Sequence, residues 1–128
     1  MTADPQYPVM YSLRHCPWAM RARMAVLLAK QPVMLRDIVL KHKPAELLAA
    51  SPKGSVPVLV ISDQEVINDQ ELLNGEQVIE QSLDIMLWAL GKTDPHNLLY
   101  SDDPKALPAM LALIHTSDTD FRDKLKKY

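Results

Sequence analysis

The chain has 128 residues, with 14 Lys and Arg against 16 Asp and Glu and 48% hydrophobic side chains, which leaves a formal net charge of −2 at pH 7. That length suits one domain with a real core plus a fragment, and near-balanced, interspersed charge provides no basic stripe for nucleic acid or anionic lipid. Apolar stretches such as Val56 to Ile61 are far short of the ~20 residues a membrane helix needs, so no membrane span is expected.

Taken in chain order, Val9, Met10 and Tyr11 follow Pro8 as a short apolar run that suits a buried strand. A helix follows, with Pro17 in its first turn, where the missing N–H would be an orphan anyway, and it runs to about Lys30. Met20, Met24, Leu27 and Leu28 recur at i, i+4, i+7 and i+8, the spacing of a helix face turned to a core. Pro32 closes it, and the β-compatible group Leu35, Ile38, Val39 and Leu40 marks a second strand within Val33 to Leu40. A β, α, β order with a connecting helix of this length implies parallel strands.

Pro44 opens a short helix over Ala45 to Ala50, which Ser51-Pro52-Lys53-Gly54 halts, and a third strand follows Pro57 over Val58 to Ile61. The polar stretch Ser62 to Glu76, broken only at Val66-Ile67 and Leu72-Leu73, is long for a hairpin connection. Gln77 to Glu80 supplies a fourth strand, Ser82 is placed to cap a helix over Leu83 to Leu90, and Gly91 is its expected stop. That helix has almost no polar face, so it should be covered on more than one side. Beyond it, Leu107, Met110, Leu111 and Ile114 keep helical spacing, and Phe121, Leu125 and Tyr128 repeat the stripe up to the last residue. Either more chain or a second copy in a homodimer is expected to supply the remaining surface.

Cys16 is the single cysteine and stands where the first strand turns into the first helix. The unpaired N–H groups and macrodipole of a helix N-terminus, with Arg14 and Arg21 nearby, favour the thiolate, so a nucleophile is expected there. A lone cysteine forms no internal disulfide, and Met1-Thr2-Ala3-Asp4-Pro5 lacks the basic start and apolar run of a secretory signal, so the expected compartment is the reducing cytoplasm. No metal is expected, because His15 has no second cysteine or spaced histidine beside it and His42, His96 and His115 are scattered. With only Gly54, Gly75 and Gly91, neither a phosphate loop nor a dinucleotide fingerprint can be written, so no nucleotide is expected either. Arg21 and Arg23 read as the solvated side of the helix, and Tyr11 and Ser12, although hydroxyl-bearing, read as core and turn residues.

Three motifs together resemble the N-terminal, thioredoxin-like domain of cytosolic glutathione S-transferases. Cys16-Pro17-Trp18-Ala19 with Arg21 and Arg23 is similar to the active-site helix of cysteine-type, bacterial and omega-like members. Ser51-Pro52-Lys53-Gly54-Ser55-Val56-Pro57 is similar to the loop in which a cis-proline precedes the third strand, and Gln81-Ser82 to the turn that grips glutathione. The resemblance implies an α/β fold of order β-α-β-α-β-β-α with a mixed four-stranded sheet over residues 1–91, a linker over 92–104, and the beginning of an all-helical second domain over 105–128. It also implies glutathione as cosubstrate. Val56 would pair its backbone with the cysteinyl part, cis-Pro57 would turn that backbone outward, Ser82 would take the γ-glutamyl carboxylate, Gln81 the ammonium group, and Lys53 the glycine carboxylate.

Gln81 stands where many relatives carry an acid, and the stretch from Asp63 to Glu76 looks longer than the family's hairpin. The expected chemistry is thiol exchange, in which Cys16 attacks a small-molecule or protein disulfide of glutathione and a second glutathione resolves the product, since the chain has no partner cysteine. Conjugation of glutathione to electrophiles and a non-catalytic interaction module are the alternatives. A single-domain glutaredoxin-like enzyme fits less well with the apolar surround of the Leu83 to Leu90 helix.

Overall fold

The computed structural model describes residues 7–62 and 76–126, with nothing to be said of the side chains of Phe121 and Leu125. The chain divides into two compact units, Met1–Pro95 and His96–Tyr128. The first holds β1 (Val9–Ser12), α1 (Pro17–Leu28), β2 (Met34–Asp37), α2 (Ala45–Ala50), β3 (Val58–Ser62), β4 (Glu76–Ile79) and α3 (Ser82–Lys92); the second holds α4 (Ala106–Leu125). The expected polar insertion over residues 63–75 and the end of the Phe121, Leu125, Tyr128 stripe lie outside the described residues. Among the described residues no helix is long and apolar enough to cross a membrane.

The four strands form one mixed sheet in the order β2-β1-β3-β4, thioredoxin-like as the element order requires. β1 and β2 are parallel, with α1 as their crossover, whereas β1 with β3 and β3 with β4 are antiparallel. The register sets Met10 opposite Leu59 and Leu59 opposite Ile79, so these three share one face. The other face carries Tyr11 and Val58, which pack with Ile38 and with Leu47 of α2, and Val9, Val56, Val60 and Val78 lie against that cluster.

α1 packs on α3, and the residues it buries are small: Ala19, Ala22, Ala25 and Val26, with Ala29 just past its end. Alanine lets the two helix axes come close, and α3 answers with fully buried Ile85 and Ala89. The expected stripe of larger residues is therefore corrected. Met20, Met24 and Leu27 are 46%, 62% and 76% exposed, because α1 carries two stripes at helical spacing and close packing selects the alanine one. The helix ends in a Schellman arrangement with Lys30, at φ 56°, in the position glycine usually takes; Lys30 N–H donates to Leu27 O and Gln31 N–H to Val26 O.

Other boundaries also move. The second strand is only Met34–Asp37; Ile38 enters the core, while Val39 and Leu40 turn outward, 60% and 55% exposed, into an isolated bridge between Val39 and His42. The fourth strand is displaced by one residue, to Glu76–Ile79. α3 runs through Gly91 to Lys92, and its stop is Thr93, whose backbone is extended. The Thr93 hydroxyl donates to Ala29 O and accepts from Gln31 Nε2, which ties the C-terminal ends of α1 and α3 together. None of the α3 residues Leu83, Met86, Leu87, Trp88 and Leu90 is exposed, in keeping with its apolar circumference.

Candidate active site

Three chain segments meet at the Cys16 end of the sheet. The first is the loop from β1 to α1. Cys16 N–H closes a turn onto Leu13 O at 3.1 Å, and Cys16 then serves as the N-cap of α1, with an extended backbone and its own carbonyl accepting from Met20 N–H at 2.9 Å. Its side chain makes no capping bond, so the first-turn N–H groups keep their outward partial positive charge beside the sulfur. The thiol is half-buried and points to the carbonyl oxygen of Val56, 4.0 Å from Sγ.

Arg23, two turns further along α1, holds this loop. Its guanidinium donates to Ser12 Oγ at 2.6 Å, to Leu13 O at 3.2 Å and to Arg14 O at 3.2 Å. It is a clamp, not the solvated side chain that the helical pattern indicates. Ser12, fully buried, is accordingly the acceptor in a structural bond.

The second segment is the loop from α2 to β3. Ser51 N–H caps α2 onto Leu47 O, and Gly54 N–H turns back to Ser51 O, both at 2.8 Å. Gly54 takes φ +66°, a backbone conformation that favours glycine, and a Cβ there would stand 3.0 Å from Leu48 Cδ2. The Val56–Pro57 peptide bond is cis. Val56 lies ahead of the β3 ladder, which begins its pairing with β1 at Val58. Lys53 is exposed in the turn.

The third segment is the start of α3. Gln81, exposed, is the N-cap, and Ser82 is the first helical residue, a correction to the expectation that Ser82 caps. The Ser82 side chain turns to α1 instead: its oxygen accepts from Arg21 Nε at 3.0 Å, while the Arg21 guanidinium carbon lies 4.9 Å from the centre of the Trp18 ring. Arg21 is thus also not a solvated residue. One position before Gln81, Glu80 accepts from Ser51 Oγ at 2.5 Å, which pins the second segment to the third. Local pattern points to none of these side-chain links, because each joins residues 9 to 61 positions apart.

Tyr11 belongs elsewhere. It is 5% exposed on the α2 side of the sheet, and burial holds its phenol above the ordinary value of 10.0, with Glu46 and Glu76 pushing the same way and Arg36 opposing them. Among the described residues no group of three or more His, Cys, Asp or Glu side chains is placed to hold a metal ion.

A sequence profile described as the glutathione S-transferase N-terminal domain matches residues 15–90, more than half of the chain. The chain belongs to the glutathione S-transferase family. Solved structures agree at the level of fold. A glutathione transferase Omega 1C from Trametes versicolor superposes with a TM-score of 0.71 at 24% identity, over 90% of this chain and 48% of that one. A glutathione S-transferase-I bound with lactoylglutathione gives 0.67 at 20% identity, over 94% of this chain and 52% of that one. A glutathione transferase homologue from Sulfitobacter, with bound glutathione, gives 0.65 at 16% identity, over 88% of this chain and 49% of that one. The chain therefore spans about half the length of these transferases. No curated protein sequence matches it.

Proposed function

We propose that this glutathione S-transferase domain binds glutathione and exchanges thiols through Cys16. The observation that carries the reading is the thiol at the uncapped start of α1, directed at the Val56 carbonyl. A peptide thiol laid along Val56 as one more strand would bring its sulfur beside Cys16, while Ser82 and the first turn of α3 would take the γ-glutamyl carboxylate. Gln81 would accept from the ammonium group, and Lys53, from its exposed turn, would reach the glycine carboxylate.

In the first step the Cys16 thiolate attacks the glutathionyl sulfur of a mixed disulfide; the new bond is Cys16–glutathione, and the substrate thiolate leaves. In the second step a glutathione thiolate attacks that adduct, releases glutathione disulfide and restores Cys16. Every proton lost by an incoming thiol is taken up by a departing thiolate. Tyr11 and Ser12, the hydroxyls nearest in sequence, are engaged in the α2-side core and under the Arg23 clamp, which favours a sulfur nucleophile over a hydroxyl that activates glutathione for conjugation.

We read residues 1–91 as the glutathione-binding domain, 92–104 as a linker and 105–128 as the beginning of a helical domain. A reducing cytoplasm is the compartment that suits a lone reactive thiol, and a small-molecule or protein disulfide is the substrate class. The test is retention on immobilised glutathione together with turnover of a small glutathione mixed disulfide. The reading predicts that Cys16→Ser abolishes turnover and keeps retention. Retention without turnover in the wild-type protein would make this a binding module instead.

A further inference from the structure

We propose that Arg21 is a positioning residue of the γ-glutamyl carboxylate subsite, acting through Ser82; this rests on the reading that glutathione docks its γ-glutamyl end at the start of α3. A serine hydroxyl has one proton to donate and lone pairs to accept with, and arginine has donors only. Because Arg21 Nε–H donates to Ser82 Oγ at 3.0 Å, the Ser82 proton has no acceptor in the guanidinium and must be directed away from it. Ser82 is the first residue of α3, and the N-cap before it, Gln81, makes no side-chain capping bond, so that side chain does not compensate the N–H groups of the helix. What remains is a polarised O–H beside uncapped N–H groups and a guanidinium, a donor set suited to a carboxylate.

The guanidinium is also held in orientation. Its carbon stacks 4.9 Å from the centre of the Trp18 ring, and Trp18 is half-buried two residues after Cys16. One helix, α1, thus carries the nucleophile at its N-cap and, one turn on, the side chain that prepares the anion site of the neighbouring helix. This placement also compensates for Gln81: with a neutral residue at the ammonium contact, recognition of the γ-glutamyl group rests more heavily on its carboxylate.

The experiment is calorimetric titration of wild type, Arg21→Gln, Arg21→Lys and Ser82→Ala with glutathione and with 4-aminobutyryl-cysteinyl-glycine, which lacks the γ-glutamyl α-carboxylate, after circular dichroism has established that each variant is folded. Arg21→Gln should weaken glutathione by about tenfold, the scale of one charge-assisted hydrogen bond. It should leave the decarboxylated analogue within about twofold, and adding it to Ser82→Ala should cost little more, since the two residues act as one unit. Arg21→Lys, which keeps the charge and loses the Nε donor, should fall between. Equal weakening of both ligands, or none of either, would overturn the role of Arg21. Failure of the wild type to bind glutathione would instead overturn the docking reading on which it stands. If Arg21→Gln does not fold, the comparison of Arg21→Lys and Ser82→Ala across the two ligands decides the matter in the same way.

Discussion

The N-termini of α1 and α3 are built alike and equipped differently. Each begins after an extended N-cap residue whose side chain makes no capping bond, so each presents uncompensated N–H groups. At α1 the polar group is a half-buried thiol on the N-cap itself, facing a carbonyl from another loop. At α3 it is a hydroxyl one residue inside the helix, nearly buried and supplied with a proton donor from α1. The same backbone device thus serves for two tasks: a sulfur beside outward N–H groups is suited to attack as a thiolate, and an oxygen with its acceptor face occupied is suited to hold an anion.

The sharpest way to separate the two ends is to remove each polar atom in turn. Cys16→Ser should bring disulfide turnover to background while glutathione affinity is kept; Ser82→Ala should do the reverse, with affinity lower by about tenfold and turnover at saturating glutathione little changed, read as a split between kcat and KM. A variant pair that lost both properties together would erase the distinction.

Next in size are the supports of each end. Ala22→Leu should lower unfolding free energy by about 1–3 kcal/mol in urea titrations, because Ala22 is fully buried where α1 packs on α3 and the interface has no room for a larger side chain. Leu27→Ser on the open side of the same helix should stay within about 0.5 kcal/mol. Arg23→Ala should cost about 1–3 kcal/mol, since it strips Ser12 Oγ and two loop carbonyls of their donor, and it should slow turnover by loosening the Cys16 loop.

The positions of Cys16, Val56-Pro57 and Ser82 at element starts are legible in the sequence because proline, glycine and small polar residues mark boundaries locally. The four strands and three helices of the first unit follow from the same marks. The buried face of α1 is not legible: Met20, Met24 and Leu27 have the period of a core stripe, and only the proximity of α3 decides for Ala19, Ala22 and Ala25. Arg21 and Arg23 look like surface charges because their partners, Ser82 and Ser12, lie on other elements, and nothing local joins Glu80 to Ser51. Gly91 reads as a stop, yet the Thr93 hydroxyl, bonded across to the end of α1, carries that function.

The smallest expected effect concerns Tyr11, whose side chain packs with Ile38, Leu47 and Val58. Its folded-state phenol ionises above 10.0, so between that value and the folded one the unfolded chain has already released a proton that the native state keeps. Fewer protons on the unfolded state mean that stability falls as pH rises past 10.0, and Tyr11→Phe should flatten that decline in alkaline urea titrations. The same variant should leave thiol exchange near neutral pH unchanged; a loss of turnover would place a hydroxyl in the chemistry after all.

The most direct measurement is intact-protein and peptide mass spectrometry of the chain after a brief exposure to glutathione disulfide, followed by excess glutathione. A single glutathionyl group on the peptide bearing Cys16, gained in the first step and removed in the second, is the predicted result. No adduct on Cys16, or an adduct that excess glutathione leaves in place, would contradict the assignment of this thiol as an exchange nucleophile.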